Sequence, residues 1–388
     1  MIKISLRPNL IYPLYLIIWT LLRKIVTIIL AKLYKFDGSV IYTFLMFIGE
    51  IIGGLFFYLY QKGYFEKKIQ SSMQIESKQS DFLITNEAVI KIADSDKKKL
   101  FLIIITGFFD FFQFFISLSF IQKILKSPGT LDIRLGGILI VISSLICRFT
   151  LRIPILKHQI LSLVIMGICL LIIIISEFFF RKFDIFLDKK KFAFAVLLII
   201  LTNFALALNN TIEKYLVDID LISPFKVLFM QGILGLISTI IFSIFNEPFS
   251  QLQKIYNNNS SGMFILFIFL LLFYTIFGMF KNIYRMYTIM LFSPMNKHLA
   301  DFIINPLYII YYFVAGDDFM TKEDRKNYYY FFTNLILLII FDICGLIFNE
   351  FLVITCYGLD RNTYTEIVVR ASKLEELETI CDNESEEL

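Results

Sequence analysis

Ten runs of mostly apolar residues constrain the fold of this chain more than any other feature. Each is about 20 residues long, the length that a helix needs to cross the hydrocarbon core of a bilayer. Within lipid a backbone must satisfy its own hydrogen bonds, which favours helices. The composition agrees, since 57% of the 388 residues are hydrophobic and 44 are phenylalanine. The sequence predicts an all-α, multi-pass membrane protein with spans at 9–30, 40–60, 99–121, 131–151, 155–180, 191–212, 223–246, 262–281, 292–315 and 329–352.

Two polar segments interrupt or end this pattern. Residues 61–98 are the longest polar stretch and are predicted to form a cytosolic loop. Residues 356–388 are rich in acids and are predicted to form a cytosolic tail. The first apolar run carries Arg23 and Lys24 and lacks a small-residue cleavage site, so we expect a span rather than a removable signal peptide.

The orientation follows from the basic residues in alternate loops. Ten spans place both termini on one side, and Lys and Arg are modestly more numerous on that side, which favours the cytosol. The run "NNNSS" at 257–261 holds two overlapping glycosylation sequons, in a loop that this orientation places in the lumen. We therefore predict that both termini are cytosolic.

A short repeated pattern indicates two halves of opposite orientation. Ser127-Pro128 precedes the fourth span, and Ser293-Pro294 opens the ninth, five spans later. An odd number of spans between equivalent elements inverts the second half, as in transporters built from inverted repeats. The prediction is a five-plus-five inverted-topology repeat, with helices 1–2 in 1–60, helices 3–5 in 99–180 and helices 6–10 in 181–355.

Polar residues recur at helical spacing inside four predicted spans. Ionisable groups in lipid are costly and usually face the bundle interior or a water-filled cavity. The candidate pocket residues are His298, Asp301, Asn305 and Tyr308 with Tyr312 in the ninth span, Asp110 and Gln113 in the third, Asn203, Asn210 and Glu213 in the sixth, and Arg134 in the fourth. The alternatives are interfacial tyrosines and packing contacts between helices.

Three further charged residues have open interpretations. Glu50 lies near the middle of the second span and is a functional candidate, or the partner of Arg23 or Lys24 in a structural ion pair. Lys281 and Arg285 lie four residues apart near a helix end, where lipid headgroup contact competes with a pocket role. If the substrate is anionic, Lys281 and Arg134 are the cations placed to bind it.

Several function classes lack their sequence signatures. The five cysteines form no C-x-x-C pair and only two histidines are available, so we expect neither a metal site nor a cofactor. No phosphate-binding loop and no hydrolase or protease motif occurs in a span, which argues against an enzyme. The expected partners are a small-molecule substrate and the lipid bilayer, not nucleic acid, and a homodimer is left open.

Two segments resemble a known group of carriers. "RLGGILIVISSLICRFTLRIPILKHQILSLVIMGI" (134–168) and "NFALALNNTIEKYLVDIDLISPFKVLFMQGILGL" (203–236) resemble the drug/metabolite transporter superfamily, and more closely its nucleotide-sugar-transporter-like branch. Glu213-Lys214, Pro224 and Gln231-Gly232 occupy positions of the family pattern, with Gln231 where that family has an acid. The resemblance implies ten helices, alternating access and an endomembrane location in the Golgi, endoplasmic reticulum or a lysosome-like compartment.

The leading hypothesis is a secondary transporter for a small polar organic metabolite, with a nucleotide sugar as the substrate that the resemblance suggests. Asp110 and Asp301 are candidates for coupling transport to protons. The alternative is a channel, a receptor-like protein or a lipid-organising polytopic membrane protein.

Overall fold

The computed structural model describes residues 2–4, 11–36, 38–76, 86–117, 134–150, 155–180, 189–244, 248–315 and 328–354. Apart from two short strands, the regular structure in these ranges is helical. The helices are α1 (Ile11–Tyr34), α2 (Ser39–Glu76), α3 (Asn86–Ile116), α4 (Ile138–Thr150), α5 (Lys157–Phe180), α6 (Lys189–Asp218), α7 (Pro224–Ser243), α8 (Pro248–Asn258), α9 (Ser261–Leu291), α10 (Pro294–Phe302), α11 (Asn305–Ala315) and α12 (Tyr328–Phe348).

Seven of these helices contain a segment long and apolar enough to cross a membrane. They are α1, α2, α5, α6, α7, α9 and α12. The all-α, multi-pass class predicted from the sequence therefore agrees with the structure, whereas the count of ten is not reached by this measure. The helix α4 has 13 residues, and α10 and α11 have 9 and 11, so none of them is long enough alone.

The predicted ninth span is interrupted. A turn at Ile303–Ile304 separates α10 from α11, although the sequence periodicity suggested one continuous helix. Pro306 explains the break, because its ring clashes with the carbonyl four residues earlier and it has no N–H to donate. A similar turn at Gly136–Gly137 precedes α4 in the predicted fourth span.

The predicted polar loop at 61–98 is also largely helical. The helix α2 continues to Glu76, and α3 begins at Asn86. This stretch has no proline and a single glycine, Gly63, and it is rich in Lys, Glu and Gln, which are good helix formers. Its polarity predicted the absence of a membrane span, but polarity does not stop a helix from extending beyond the lipid.

The helices pack in a small number of pairs. The helix α9 packs against α1 and α2, and α7 packs against α2 and α3. The helix α6 packs against α3 and α4, and α5 packs against α12. The broken segment lies inside the bundle, where α10 contacts α1, α4, α6, α9 and α12.

Glycines allow the closest approaches between helices. A Cβ added at Gly49 would lie 3.0 Å from the carbonyl oxygen of Thr275 in α9, and one at Gly54 would lie 2.6 Å from the backbone nitrogen of Phe229 in α7. One at Gly137 would lie 2.6 Å from the ring of Phe341 in α12. The helix α2 thus meets two neighbours through backbone surfaces, as small residues allow in membrane bundles.

The distribution of polarity is reversed relative to a water-soluble protein. Large apolar side chains cover the outside, with Phe56 65% exposed and Phe149 79% exposed, whereas Asp110 and Glu213 are fully buried. This pattern is expected where the outer surface meets lipid rather than water.

The two ends of the described chain meet in a short antiparallel ladder. Strand β1 (Ile2–Ile4) pairs with strand β2 (Leu352–Ile354), with Lys3 opposite Val353. The segment before the first helix and the segment after the last helix therefore lie side by side.

Candidate functional site

A buried guanidinium surrounded by carboxylates lies among four helices of the bundle. Arg285 of α9 lies 3.4 Å from Glu213 of α6, 3.7 Å from Glu50 of α2 and 3.8 Å from Asp110 of α3. All four side chains are at most 5% exposed. We call these four residues the acidic cluster. Three carboxylates thus share one cation, and none of them makes a short, bidentate pair with it.

Amide side chains form hydrogen bonds with three members of the acidic cluster. Gln231 of α7 donates to Glu213 Oε1 at 2.9 Å and accepts a hydrogen bond from Arg285 at 3.4 Å. Asn282 donates to Glu50 Oε1 at 2.9 Å. Several carboxylate oxygens remain without a hydrogen-bond partner among the described residues: Glu50 Oε2, Glu213 Oε2 and both oxygens of Asp110.

A second cluster of opposite charge begins one helical turn away on α9. Lys281 Nζ lies 3.7 Å from Asp301 Oδ1, and Lys297 Nζ lies 3.1 Å from Asp301 Oδ2. Thr20 of α1 donates to the same carboxylate at 3.4 Å. The side chains of Lys281 and Asp301 are 19% and 22% exposed. Both side chains are therefore partly accessible from outside the protein, at a position about 10 Å along α10 from the helix start.

The helix α1 adds two more cations to this group. Arg23 donates to the Tyr274 hydroxyl at 2.9 Å, and Lys24 Nζ lies 4.0 Å from the centre of the Tyr308 ring. Both are close enough to Lys281 to interact with it electrostatically. We call Arg23, Lys24, Lys281, Lys297 and Asp301 the basic cluster. It carries four cations and one carboxylate, so it is suited to bind an anionic group.

Local sequence explains how α10 positions its part of the basic cluster. Ser293 caps the helix by accepting a hydrogen bond from the Asn296 N–H at 3.3 Å, and Pro294 fits the first turn. The spacing of four then places Lys297 and Asp301 on one face. His298 follows Lys297, and its Nε2 lies 3.3 Å from Asn210 Nδ2 of α6. This contact links α10 to the helix that carries Glu213.

The structure brings together most, but not all, of the residues predicted from the sequence. Glu50, Asp110 and Glu213 meet at Arg285, Lys281 meets Asp301, and His298 meets Asn210. Tyr308 and Asp301 both face α1. Glu50 contacts Arg285 and Asn282, which corrects the suggested pairing with Arg23 or Lys24.

Four predicted residues lie apart from these contacts. Arg134 pairs with Glu177 of α5, outside both clusters. Gln113 is half-buried, and no hydrogen bond among the described residues joins it or the buried Asn203 to either cluster. Asn305 is buried at the start of α11. The pocket roles of these four remain predictions, and the Tyr312 side chain lies outside the described residues.

Arg285 is the central residue that the sequence alone did not single out. Its place near the end of α9 suggested contact with lipid headgroups, and Lys297 is not among the pocket residues predicted from the sequence. A usable signal was present: three carboxylates predicted inside spans need cations, and Arg285 lies one turn from Lys281.

Comparison with known proteins adds no relative. No protein-family model matches the chain, and no curated protein matches it.

Proposed function

We propose that this chain is a secondary transporter that moves a small, negatively charged organic metabolite across a membrane by alternating access. The observation that carries the proposal is the basic cluster inside an apolar bundle, in which Lys281 and Lys297 contact the partly exposed Asp301 carboxylate. Arg23 and Lys24 of α1 are near enough to act on Lys281 electrostatically. Each ionisable group placed within lipid costs about 2.5–3.5 kcal/mol on insertion scales. A purely structural role would not require four.

The break between α10 and α11 supports a substrate site at this position. Carriers commonly form their binding sites at discontinuous helices, where irregular backbone lines a cavity rather than facing lipid. Here the break lies directly after Asp301, and residues on both sides of it face α1. A ligand bound to the basic cluster would therefore contact an element that is able to change its angle.

The pairing of helices supports the inverted repeat. Exchanging the first five predicted spans with the last five maps the pair α1–α9 onto α6–α3 and the pair α2–α9 onto α7–α3. It also maps α1–α10 onto α6–α4, and it leaves α2–α7, α4–α10 and α5–α12 unchanged. Each of these pairs packs in the structure, which is the pattern expected of two similar halves related by a twofold axis.

The meeting of the two chain ends supports an even number of crossings. Strands β1 and β2 pair with each other, so the segment before α1 and the segment after α12 lie on one side, whereas seven crossings would separate them. We propose ten crossings, with α3, α4 and the α10–α11 pair as the three additional ones. A cytosolic position of both ends and an endomembrane location belong to the same proposal.

The more specific assignment of the substrate, a nucleotide sugar, rests on the resemblance of residues 134–168 and 203–236 to nucleotide-sugar-transporter-like carriers. The positive charge of the basic cluster is consistent with that substrate, because its diphosphate is anionic. We propose no catalytic step and no cofactor.

The test is uptake of a panel of radiolabelled nucleotide sugars into vesicles containing the purified protein. We expect saturable uptake that is stimulated by preloaded substrate. Lys281→Gln and Lys297→Gln should each raise the KM at least tenfold, because a hydrogen bond to a charged group contributes about 1.5–3 kcal/mol. Lys226→Gln, at an exposed position of α7, is the matched control and should leave the KM unchanged.

Three results would count against the proposal. Uptake that rises linearly with concentration and is not stimulated by preloaded substrate would indicate a channel. No uptake of any panel member would remove the nucleotide-sugar assignment. Equal kinetics for Lys281→Gln and Lys226→Gln, with normal elution on size-exclusion chromatography, would remove the basic cluster as the binding site.

A further inference from the structure

We propose that Asp110 is a proton-binding site of the transport cycle: it holds a proton in the conformation described and releases it in another. The inference rests on the proposed transport function and adds its driving force, a proton gradient.

Asp110 lacks the contacts that an ionised carboxylate needs. Its side chain is fully buried, and neither of its oxygens has a hydrogen-bond partner among the described residues. The nearest cationic atom, Arg285 Nη1, lies 3.8 Å away, whereas a charge-assisted hydrogen bond is about 2.7–2.9 Å long. A buried carboxylate without such bonds is strongly unfavourable, and burying the neutral acid costs much less.

The other two carboxylates of the acidic cluster, Glu213 and Glu50, accept hydrogen bonds that Asp110 lacks. Glu213 Oε1 accepts from Gln231 at 2.9 Å and lies 3.5 Å from the Asn209 amide, and Glu50 Oε1 accepts from Asn282 at 2.9 Å. Arg285 carries one positive charge among three carboxylates. The member of the acidic cluster that is left without a donor is Asp110, which makes it the member that carries the proton.

Other charged groups face Asp110 from farther away. They are Lys281 of α9, Lys297 of α10 and Arg23 of α1. The two lysines contact the Asp301 carboxylate, and Arg23 contacts the Tyr274 hydroxyl. The helix α7 presents the uncharged Gln231 to the acidic cluster. Among the residues that the structure describes, no group of three His, Cys, Asp or Glu side chains has the arrangement of a metal site.

The helix α9 connects proton release to the basic cluster. When Asp110 loses its proton to water, its new negative charge is compensated if Arg285 moves about 1 Å closer, to hydrogen-bonding distance. Arg285 and Lys281 are one turn apart on α9, so a shift of the helix that brings Arg285 closer also displaces Lys281 relative to Asp301. One proton leaves the carboxylic acid, no other bond changes, and the substrate site is altered.

The first test needs no substrate. Infrared difference spectroscopy of the reconstituted full-length protein reports the carbonyl stretch of protonated carboxylic acids. We expect an acid band at neutral pH that is reduced in Asp110→Asn but retained in Asp301→Asn, whose carboxylate is held by two lysines. Asp342→Asn removes the contribution of another buried aspartate.

Carbon-13 labelling of aspartate in the Asp342→Asn protein provides a check that does not depend on how Asp110→Asn folds. The acid band should shift on labelling, which distinguishes Asp110 from Glu50 and Glu213. An acid band that does not shift, or a spectrum of Asp110→Asn identical to that of the wild type, would overturn the proposal.

The second test measures coupling with the nucleotide sugar that shows saturable uptake, beginning with UDP-glucose. For one proton per cycle at zero membrane potential, the steady-state accumulation ratio should change about tenfold per unit of imposed pH gradient. Asp110→Asn should lose this dependence and keep exchange of labelled for unlabelled substrate. Gradient-driven accumulation that persists in Asp110→Asn would refute coupling through this residue. If no panel member is transported, the proposed substrate fails and the infrared result alone decides whether Asp110 holds a proton.

Discussion

Adding one methyl group at Gly54 should push α2 away from α7 and destabilise the protein. A Cβ at this position would lie 2.6 Å from the backbone nitrogen of Phe229 and 2.8 Å from its Cα. Both atoms belong to the main chain of α7, so no flexible side chain can move aside. To reach the 3.4 Å of ordinary van der Waals contact, the two helices must separate locally by about 0.8 Å.

The magnitude follows from two opposing contributions. Overpacking a tight interface costs about 1–3 kcal/mol. Alanine is more favourable than glycine within a helix by about 0.5–1 kcal/mol. The difference between these ranges is roughly 0–2.5 kcal/mol, and from its middle we expect Gly54→Ala to lower the free energy of unfolding by about 1 kcal/mol. The same interface holds the acidic cluster, because Glu50 lies one turn from Gly54 and Gln231 lies two residues from Phe229.

The measurement is unfolding of the purified protein in mixed micelles with increasing SDS, followed by circular dichroism. The matched control is Gly167→Ala in α5, where an added Cβ would meet nothing within 4 Å. The control should be neutral or slightly stabilising. Transport by Gly54→Ala should also fall, since the shift moves Glu50 relative to Arg285.

Equal stability of the two alanine variants would refute this reasoning. It would mean that α2 and α7 do not meet at the backbone of Phe229 in the membrane. A loss of stability with unchanged transport would retain the packing argument and disconnect Gly54 from the acidic cluster.

Three further changes give graded effects in the same SDS titration. Arg285→Met leaves buried carboxylates without their cation and should cost about 3–5 kcal/mol, part of which Glu213→Gln should restore in the double variant. Phe341→Ala empties a fully buried position in α12 and should cost about 3–5 kcal/mol, whereas Phe341→Leu should cost less. Ser293→Ala removes the cap on α10 and should cost about 1 kcal/mol, with Ser293→Asp as the control that keeps an acceptor for the Asn296 N–H. The assigned contacts would be contradicted if Glu213→Gln restored nothing, if Phe341→Leu cost as much as Phe341→Ala, or if Ser293→Asp cost as much as Ser293→Ala.

Helical periodicity within the ninth segment correctly predicted that some of its polar residues share one face. The stripe from His298 to Tyr308 was predicted from spacing alone, and Asp301 and Tyr308 both face α1 in the structure. The same periodicity predicted one continuous helix and missed the turn at Ile303–Ile304. Pro306 was the available signal, since a proline that far inside an apolar run breaks or kinks the helix at the residue before it.

Contacts between segments were harder to predict, because the sequence of one helix does not show which other helices pack against it. The four-residue spacing of Gly49 and Gly53 is typical of close helix packing, and both face α9. Gly54 and its contact with α7 have no such pattern. Glu50 was paired with cations on the adjacent span, whereas its partner Arg285 is far away in sequence. Assigning that pair requires knowing that α2 and α9 touch.

The turn at Ile303–Ile304 divides the ninth segment into two mechanical units. Pro306 cannot donate a hydrogen bond to Phe302, so bending here sacrifices fewer hydrogen bonds than bending an intact helix would. The helix α10, with Lys297, His298 and Asp301, is therefore a separate nine-residue helix whose angle to α11 is not fixed by a continuous series of backbone hydrogen bonds. A change in the angle between α10 and α11 would move Asp301 relative to Thr20 of α1 and Lys281 of α9, while each short helix keeps its own hydrogen bonds.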